Sequence, residues 1–177
     1  MNKPLSKREV ENIVGEKINL ITVPELEDYD SIEELMNGNK NLLILYQDYH
    51  DDINRVKSGH WTCLKHLDKN NLSFYCSYGI FPDDQLKNIP KEYREQTRQI
   101  KRNLTRLLHD SKYKNIHYNP HQHQKKDRNI TTCGRHAGLF MYMNTEPEEY
   151  NKIIRHLCKI LKTDPDNLVV KLTDNLI

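Results

Sequence analysis

Apolar residues fall into clusters whose spacing alternates between helical and extended periods. Ser6 with Glu9, Ser31 with Glu34 and Thr145 with Glu148 each carry the capping-box pattern, in which a hydroxyl caps the third helical amide and a carboxylate reaches back. The first opens a short helix through Val10, Ile13 and Val14. The second covers Ile32, Leu35 and Met36 and stops at Asn37-Gly38, a left-handed helix end. The third has Pro147 near its start and sets Ile153, Ile154, Leu157, Ile160 and Leu161 three and four residues apart, which predicts a longer helix ending before Asp164-Pro165. A fourth helix is predicted between residues 90 and 110. Tyr93, Ile100, Leu104, Leu107 and Leu108 lie along one face, with Lys91, Arg94, Arg98, Lys101, Arg102 and Arg106 over most of the rest.

Strands are predicted for the apolar run Leu42 to Tyr46, for Trp61 to Leu67 and for Leu72 to Tyr78. The last two flank the polar turn Asp68-Lys69-Asn70-Asn71 and read as a hairpin. Residues 48–58 and 119–131 lack periodicity and are rich in Asp, Asn, His, Gln and Lys, so they read as loops beside functional positions. There is no internal repeat. At 177 residues the size favours a single domain over 1–177.

Composition narrows the class. Hydrophobic residues make up only 36% and charged residues 29%, yet the ordered apolar clusters argue against disorder. No apolar run approaches a membrane span and the N-terminus lacks a signal pattern, which predicts a protein that is not secreted. Cys63, Cys76, Cys133 and Cys158 form no C-x-x-C pair and read as free thiols. The net charge is +2, but the window 85–128 holds twelve Lys/Arg against four Asp/Glu. That asymmetry fits an anionic partner such as DNA, and equally one solvated basic helix face.

Candidate chemistry centres on Ser58-Gly59-His60-Trp61, at the head of a predicted strand, and on Thr131-Thr132-Cys133-Gly134-Arg135-His136, at the head of a predicted helix. A thiol becomes a good nucleophile as thiolate, and a helix N-terminus or a neighbouring imidazolium lowers its pKa from ~8.5. Cys133 is placed for both. Asn129 to Thr132 offer capping side chains, Gly134 leaves room for a substrate backbone, and an exposed amide at the helix start is an oxyanion donor worth about 3 kcal/mol. On these residues alone, an inert buried cysteine stands beside this reading. His117, His121 and His123 read as a polar loop more readily than as a metal site. The ten tyrosines read as packing residues more readily than as base-stacking ones. Arg135 and His136 fit a role in holding the helix start.

Gly59-His60-Trp61, Tyr75-Cys76-Ser77-Tyr78-Gly79, Gln124 and Thr132-Cys133-Gly134-Arg135-His136 follow one another in an order that resembles the adenovirus maturation-protease family of cysteine proteases. Similar enzymes occur in virophages, Polinton-like elements and large DNA viruses, and more distantly among SUMO-specific proteases. The resemblance spans residues 5–161 and implies an α+β fold with a central mixed sheet flanked by helices, a circular permutation of the papain-like arrangement. It implies Cys133 as nucleophile, His60 as general base and then acid, Trp61 beside the imidazole, and Gln124 in the oxyanion hole, with Gln122 as the alternative. Nine positions separate Gln124 from Cys133, more than is usual in the family, so a loop insertion is implied. Relatives carry Asp or Glu where this chain has Cys76; Cys76, Ser77 or a carbonyl is left to orient the ring.

The implied activity is cleavage of viral capsid or core precursor proteins after small, Gly-rich motifs through a thioester, in the virion and the host cell interior. No cofactor is required; DNA along residues 90–110 or an activating peptide are the candidate effectors. Two rival readings remain: a protease acting on ubiquitin or SUMO-like modifiers, and an inactive nucleic-acid-binding structural relative.

Overall fold

The hairpin expected around Asp68 to Asn71 forms within a five-stranded sheet. The computed structural model describes residues 3–48, 59–127 and 129–177; Ser58, the rest of the loop expected up to it from residue 49, and Arg128 lie outside the described residues. Strands β1 (Asn19–Thr22), β2 (Asn41–Gln47), β3 (Gly59–Asp68), β4 (Asn71–Cys76) and β5 (Asn115–Tyr118) lie side by side in chain order. β1 runs parallel to β2, the three central strands are antiparallel, and β5 runs parallel to β4. The architecture is therefore α+β, a mixed sheet flanked by helices. β1 and β5 escaped the sequence pattern because each is an edge strand of four residues with little or no full burial.

Both faces of the sheet are covered, which explains the unbroken apolar run in β2. Leu43, Leu45, Trp61, Cys63 and Tyr75 pack on one side with residues of α1 (Lys7–Val14), α5 (Cys133–Tyr142), α6 (Pro147–Ile160) and α7 (Pro165–Thr173). Leu42, Ile44, Leu64, Leu72 and Phe74 pack on the other with α2 (Ile32–Met36) and α4 (Asn103–His109). β2 and β3 approach so closely at Gly59 that a Cβ there would lie 2.0 Å from the Tyr46 carbonyl oxygen. Only glycine fits beside that strand, one residue before His60.

Three expectations are corrected. The helix expected over 90–110 is two, α3 (Lys91–Gln96) and α4, because Arg98 turns left-handed at φ 58° and the Gln99 side chain bonds the main chain of Gln47 from both its oxygen and its nitrogen. Ile100, expected on the apolar face, is 62% exposed. The basic side chains of this stretch are partly engaged: Arg98 and Lys101 with Glu27, Arg102 with Asp84, Lys91 with Glu95. At α6 the Thr145–Glu148 box does not form; Glu146 takes the cap position and Glu148 pairs instead with His121. Ser6 and Glu9 do make the complete box, whereas at Ser31 only the hydroxyl half forms and Glu34 bonds the Asp30 amide.

α5 is buried along nearly its whole length, Cys133 through Met141. Its last carbonyls cannot reach water, and Lys65 of β3 supplies their donor: Nζ bonds the carbonyls of Phe140 (3.2 Å), Met141 (3.1 Å) and Met143. Burial holds this amine down at about 8. Replacing Lys65 with Ala strands two buried acceptors and one half-buried one and opens a cavity, so Lys65→Ala is expected to cost about 2–4 kcal/mol in urea unfolding. A loss under about 0.5 kcal/mol would show that the cap contributes nothing.

Candidate active site

Cys133 is the first residue of α5, and the helix start is built differently from the expectation. Thr132 makes no side-chain cap; its hydroxyl donates to the Asp166 carboxylate. The sulfur of Cys133 instead faces main-chain amides, those of Trp61 in β3 and of Gly134, whose dipoles favour its thiolate form. The two segments that are distant in sequence therefore meet, with the sulfur against the main chain of β3 one residue from His60. Gly134 does not leave open space: a Cβ there would sit 3.2–3.5 Å from Leu5, Trp61 and Val10, so the position is filled by packing and not held for a substrate.

His60 is 3% exposed and Cys133 7%. Side chains alternate along β3, so His60 leaves the strand on the face opposite Trp61, and imidazole and sulfur flank the first residues of one strand. The imidazole has two neighbours of known geometry. Its Nε2 lies 3.2 Å from Cys76 Sγ, and its ring stacks on Tyr78 with centroids 4.2 Å apart and planes 10° from parallel. Lys126 in turn sits 5.8 Å from the Tyr78 ring centroid.

Electrostatics reverses the expected poise. The amides at the α5 start favour a thiolate, but burial outweighs them and pushes the Cys133 thiol up to about 11. Burial, then the nearby His136 and Lys126, lowers His60 to about 3. As folded, the pair is thiol and neutral imidazole, not an ion pair, and nearly covered from solvent where an open site was expected.

Gln124 lies in the loop that returns toward α5. Its Oε1 accepts from the Ser77 hydroxyl at 2.7 Å, its Nε2 donates to the Ile130 carbonyl at 3.0 Å, and its main-chain amide bonds the Ser77 carbonyl. One of its two amide hydrogens is thus committed to the loop. Gln122, the alternative, donates to the Gln124 carbonyl. Ser77 holds Gln124 and has no recorded contact with the imidazole.

Sequence reasoning missed Asp166, since Asp164-Pro165-Asp166 read only as a stop after α6. Its carboxylate accepts from Thr132 Oγ1, from the Lys125 amide at 3.0 Å and from His136 Nε2 at 3.3 Å. It thereby joins the residue before Cys133, the residue after Gln124 and the first turn of α5. Beside it, His123 is held by the Tyr75 hydroxyl and Asn151, while His117 bonds Asn71 and Glu146 and His121 bonds Glu148. The three histidines, His117 in β5 and not in the expected loop, are thus separately engaged, and no metal-binding group of His, Cys, Asp or Glu occurs among the described residues.

No family model matches the chain, and no solved structure does. It is 30% identical over 170 residues, 96% of its own length and 93% of the relative's, to the protein titled "Uncharacterized protein V9" of Sputnik virophage. The chain belongs to that virophage protein family. The relative is viral, and among the described residues of this virophage-family chain no helix is long and apolar enough to cross a membrane.

The buried histidines around this site predict acid lability. His60 is lowered to about 3, His123 to about 4, and His136 is also lowered, each first by burial. The unfolded chain takes up these protons near 6.5 while the fold refuses them, so stability is full above pH 6.5 and falls as the pH drops below it. At pH 5.5 the loss is about 1.4 kcal/mol each for His60 and His123, about 3 kcal/mol together, and His136 adds to it in the same direction. Urea midpoints that stay constant between pH 7.5 and 5.5 would contradict this.

Proposed function

We propose that the chain is a cysteine endopeptidase of the adenovirus maturation-protease type, on a circularly permuted papain-like fold, that cleaves viral precursor proteins after small, Gly-rich motifs. The observation that carries the proposal is the helix start at Cys133, whose sulfur faces the Trp61 main-chain amide beside His60, in a chain whose motif order resembles that family. The virophage relative supports the viral setting.

In this reading substrate entry uncovers the two groups, and the thiol proton passes to His60 as the sulfur attacks the peptide carbonyl. The oxyanion forms beside the helix-start amides, assisted by the Gln124 side chain once it turns its free hydrogen toward the site. The His60 proton then goes to the leaving amine, and water, activated by His60, hydrolyses the thioester. Contact with DNA along residues 90–110 belongs to the same proposal; Lys91, Arg98, Lys101 and Arg102 have acidic partners there, so DNA has to displace Glu27, Asp84 and Glu95 from them, and binding should weaken steeply with salt.

One observation favours a second reading, an inactive structural relative: the thiol is neutral and nearly covered, and the group against Nε2 of the histidine is a thiol, that of Cys76. The two readings part on incubation of the protein with candidate capsid precursors, cuts being mapped by mass spectrometry. Cys133→Ala is expected to abolish every cut and His60→Ala to reduce the rate by on the order of 10³-fold or more. Cuts that survive in Cys133→Ala, or no cuts together with no His60-dependent thiol reactivity in the unaltered protein, would overturn the endopeptidase reading.

A further inference from the structure

The position that resemblance assigns to an acid holds a thiol in direct contact with the histidine. Cys76 ends β4, opposite Thr62 of β3, and its neighbour across the hairpin is the imidazole of His60, with Nε2 and Sγ 3.2 Å apart. The chain then turns sharply. Gly79 adopts φ 68°, its amide bonds the Cys76 carbonyl at 3.0 Å, and the same turn aims the amides of Tyr78 and Ile80 at the Cys76 sulfur. Asn119 clamps the Cys76 carbonyl from the other side at 2.7 Å. A residue with a Cβ could not take the place of Gly79, since it would lie 2.7 Å from the His121 carbonyl carbon. The sulfur is therefore buried, fixed through its main chain, and surrounded by donors on every side for which contacts are known.

We propose that Cys76 is the positioning residue of the site: its sulfur, in contact with Nε2, fixes the imidazole ring of His60 beside the start of α5, where Cys133 stands. This rests on the endopeptidase reading above. The physical reason is fixation: a sulfur anchored through its own turn and in contact with Nε2 sets the angle of the ring. Tyr78, stacked flat on the ring, blocks rotation out of that plane. A thiol differs from a carboxylate in one respect: it orients the neutral ring without strongly favouring the charged one, which matches a resting pair of thiol and imidazole. Among the described residues, the other titratable groups acting on Cys76, His60 or the Cys133 and Tyr78 beside them are Lys126, Tyr46, Tyr75, Cys63, His136 and two carboxylates, Asp48 and Asp166.

The test is the rate at which iodoacetamide alkylates Cys133, followed site by site by mass spectrometry from pH 5 to 10 in the full chain. Variants Cys76→Ala, Cys76→Ser and Cys76→Asp are compared with His60→Ala, and urea unfolding verifies that each is folded. Cys76→Ala is expected to slow the reaction tenfold or more, and Cys76→Ser to recover part of that loss. Cys76→Asp is expected to move the rate profile at least one unit toward acid, because a carboxylate favours the imidazolium and with it the thiolate. A His60-dependent reaction indifferent to Cys76→Ala and Cys76→Asp overturns this assignment alone. Absence of any His60-dependent reaction at Cys133 overturns the endopeptidase reading and this assignment together.

Discussion

A helix buried along nearly its whole length must find partners for most of its terminal amides and carbonyls inside the protein, and α5 is such a helix. Its last carbonyls are met by the ammonium of Lys65, reaching across from β3. Its first amides are met by no capping hydroxyl. They face the sulfur of Cys133, which also faces the amide of Trp61 in the same strand. β3 thus holds both ends of the helix, and the site follows from that requirement: the residue able to accept at a dry helix start is brought against the strand that carries the histidine.

Two effects of opposite sign then act on the sulfur. Amides at a helix start stabilise negative charge, and removal from water destabilises it. Here burial wins, for the thiol and for the imidazole alike, and the folded state stores both groups neutral. Asp166 lends this region its rigidity, because one carboxylate fixes the residue before the cysteine, the loop after Gln124 and a histidine one turn along the helix.

The legible parts of the fold were those where local chemistry and tertiary packing agree. The Ser6 box, the left-handed Asn37, the β3–β4 turn and the apolar run of β2 each carry their signal within a few residues. The helix over 90–110 misled because its apolar spacing is compatible with one face, while the Gln99 side chain, bonded to β2 far away in sequence, breaks it. α7 and Asp166 were invisible for the same reason: an aspartate after a proline at a helix start reads as local punctuation, and its partners come from two other segments.

From the sequence alone came the central hairpin and the helix beginning at Cys133, with the α+β class and the candidate pairing of that residue with His60 implied by the resemblance in motif order. These rest on periodicity, capping and motif order, all properties of neighbouring residues. What tertiary structure decided was the environment of those side chains: a thiol as the partner of Nε2, a glutamine amide bound to its own loop, a glycine filled by packing and a site nearly closed to water. Desolvation and hydrogen-bond partnership depend on atoms contributed by several distant segments, and no local pattern encodes which of them arrive.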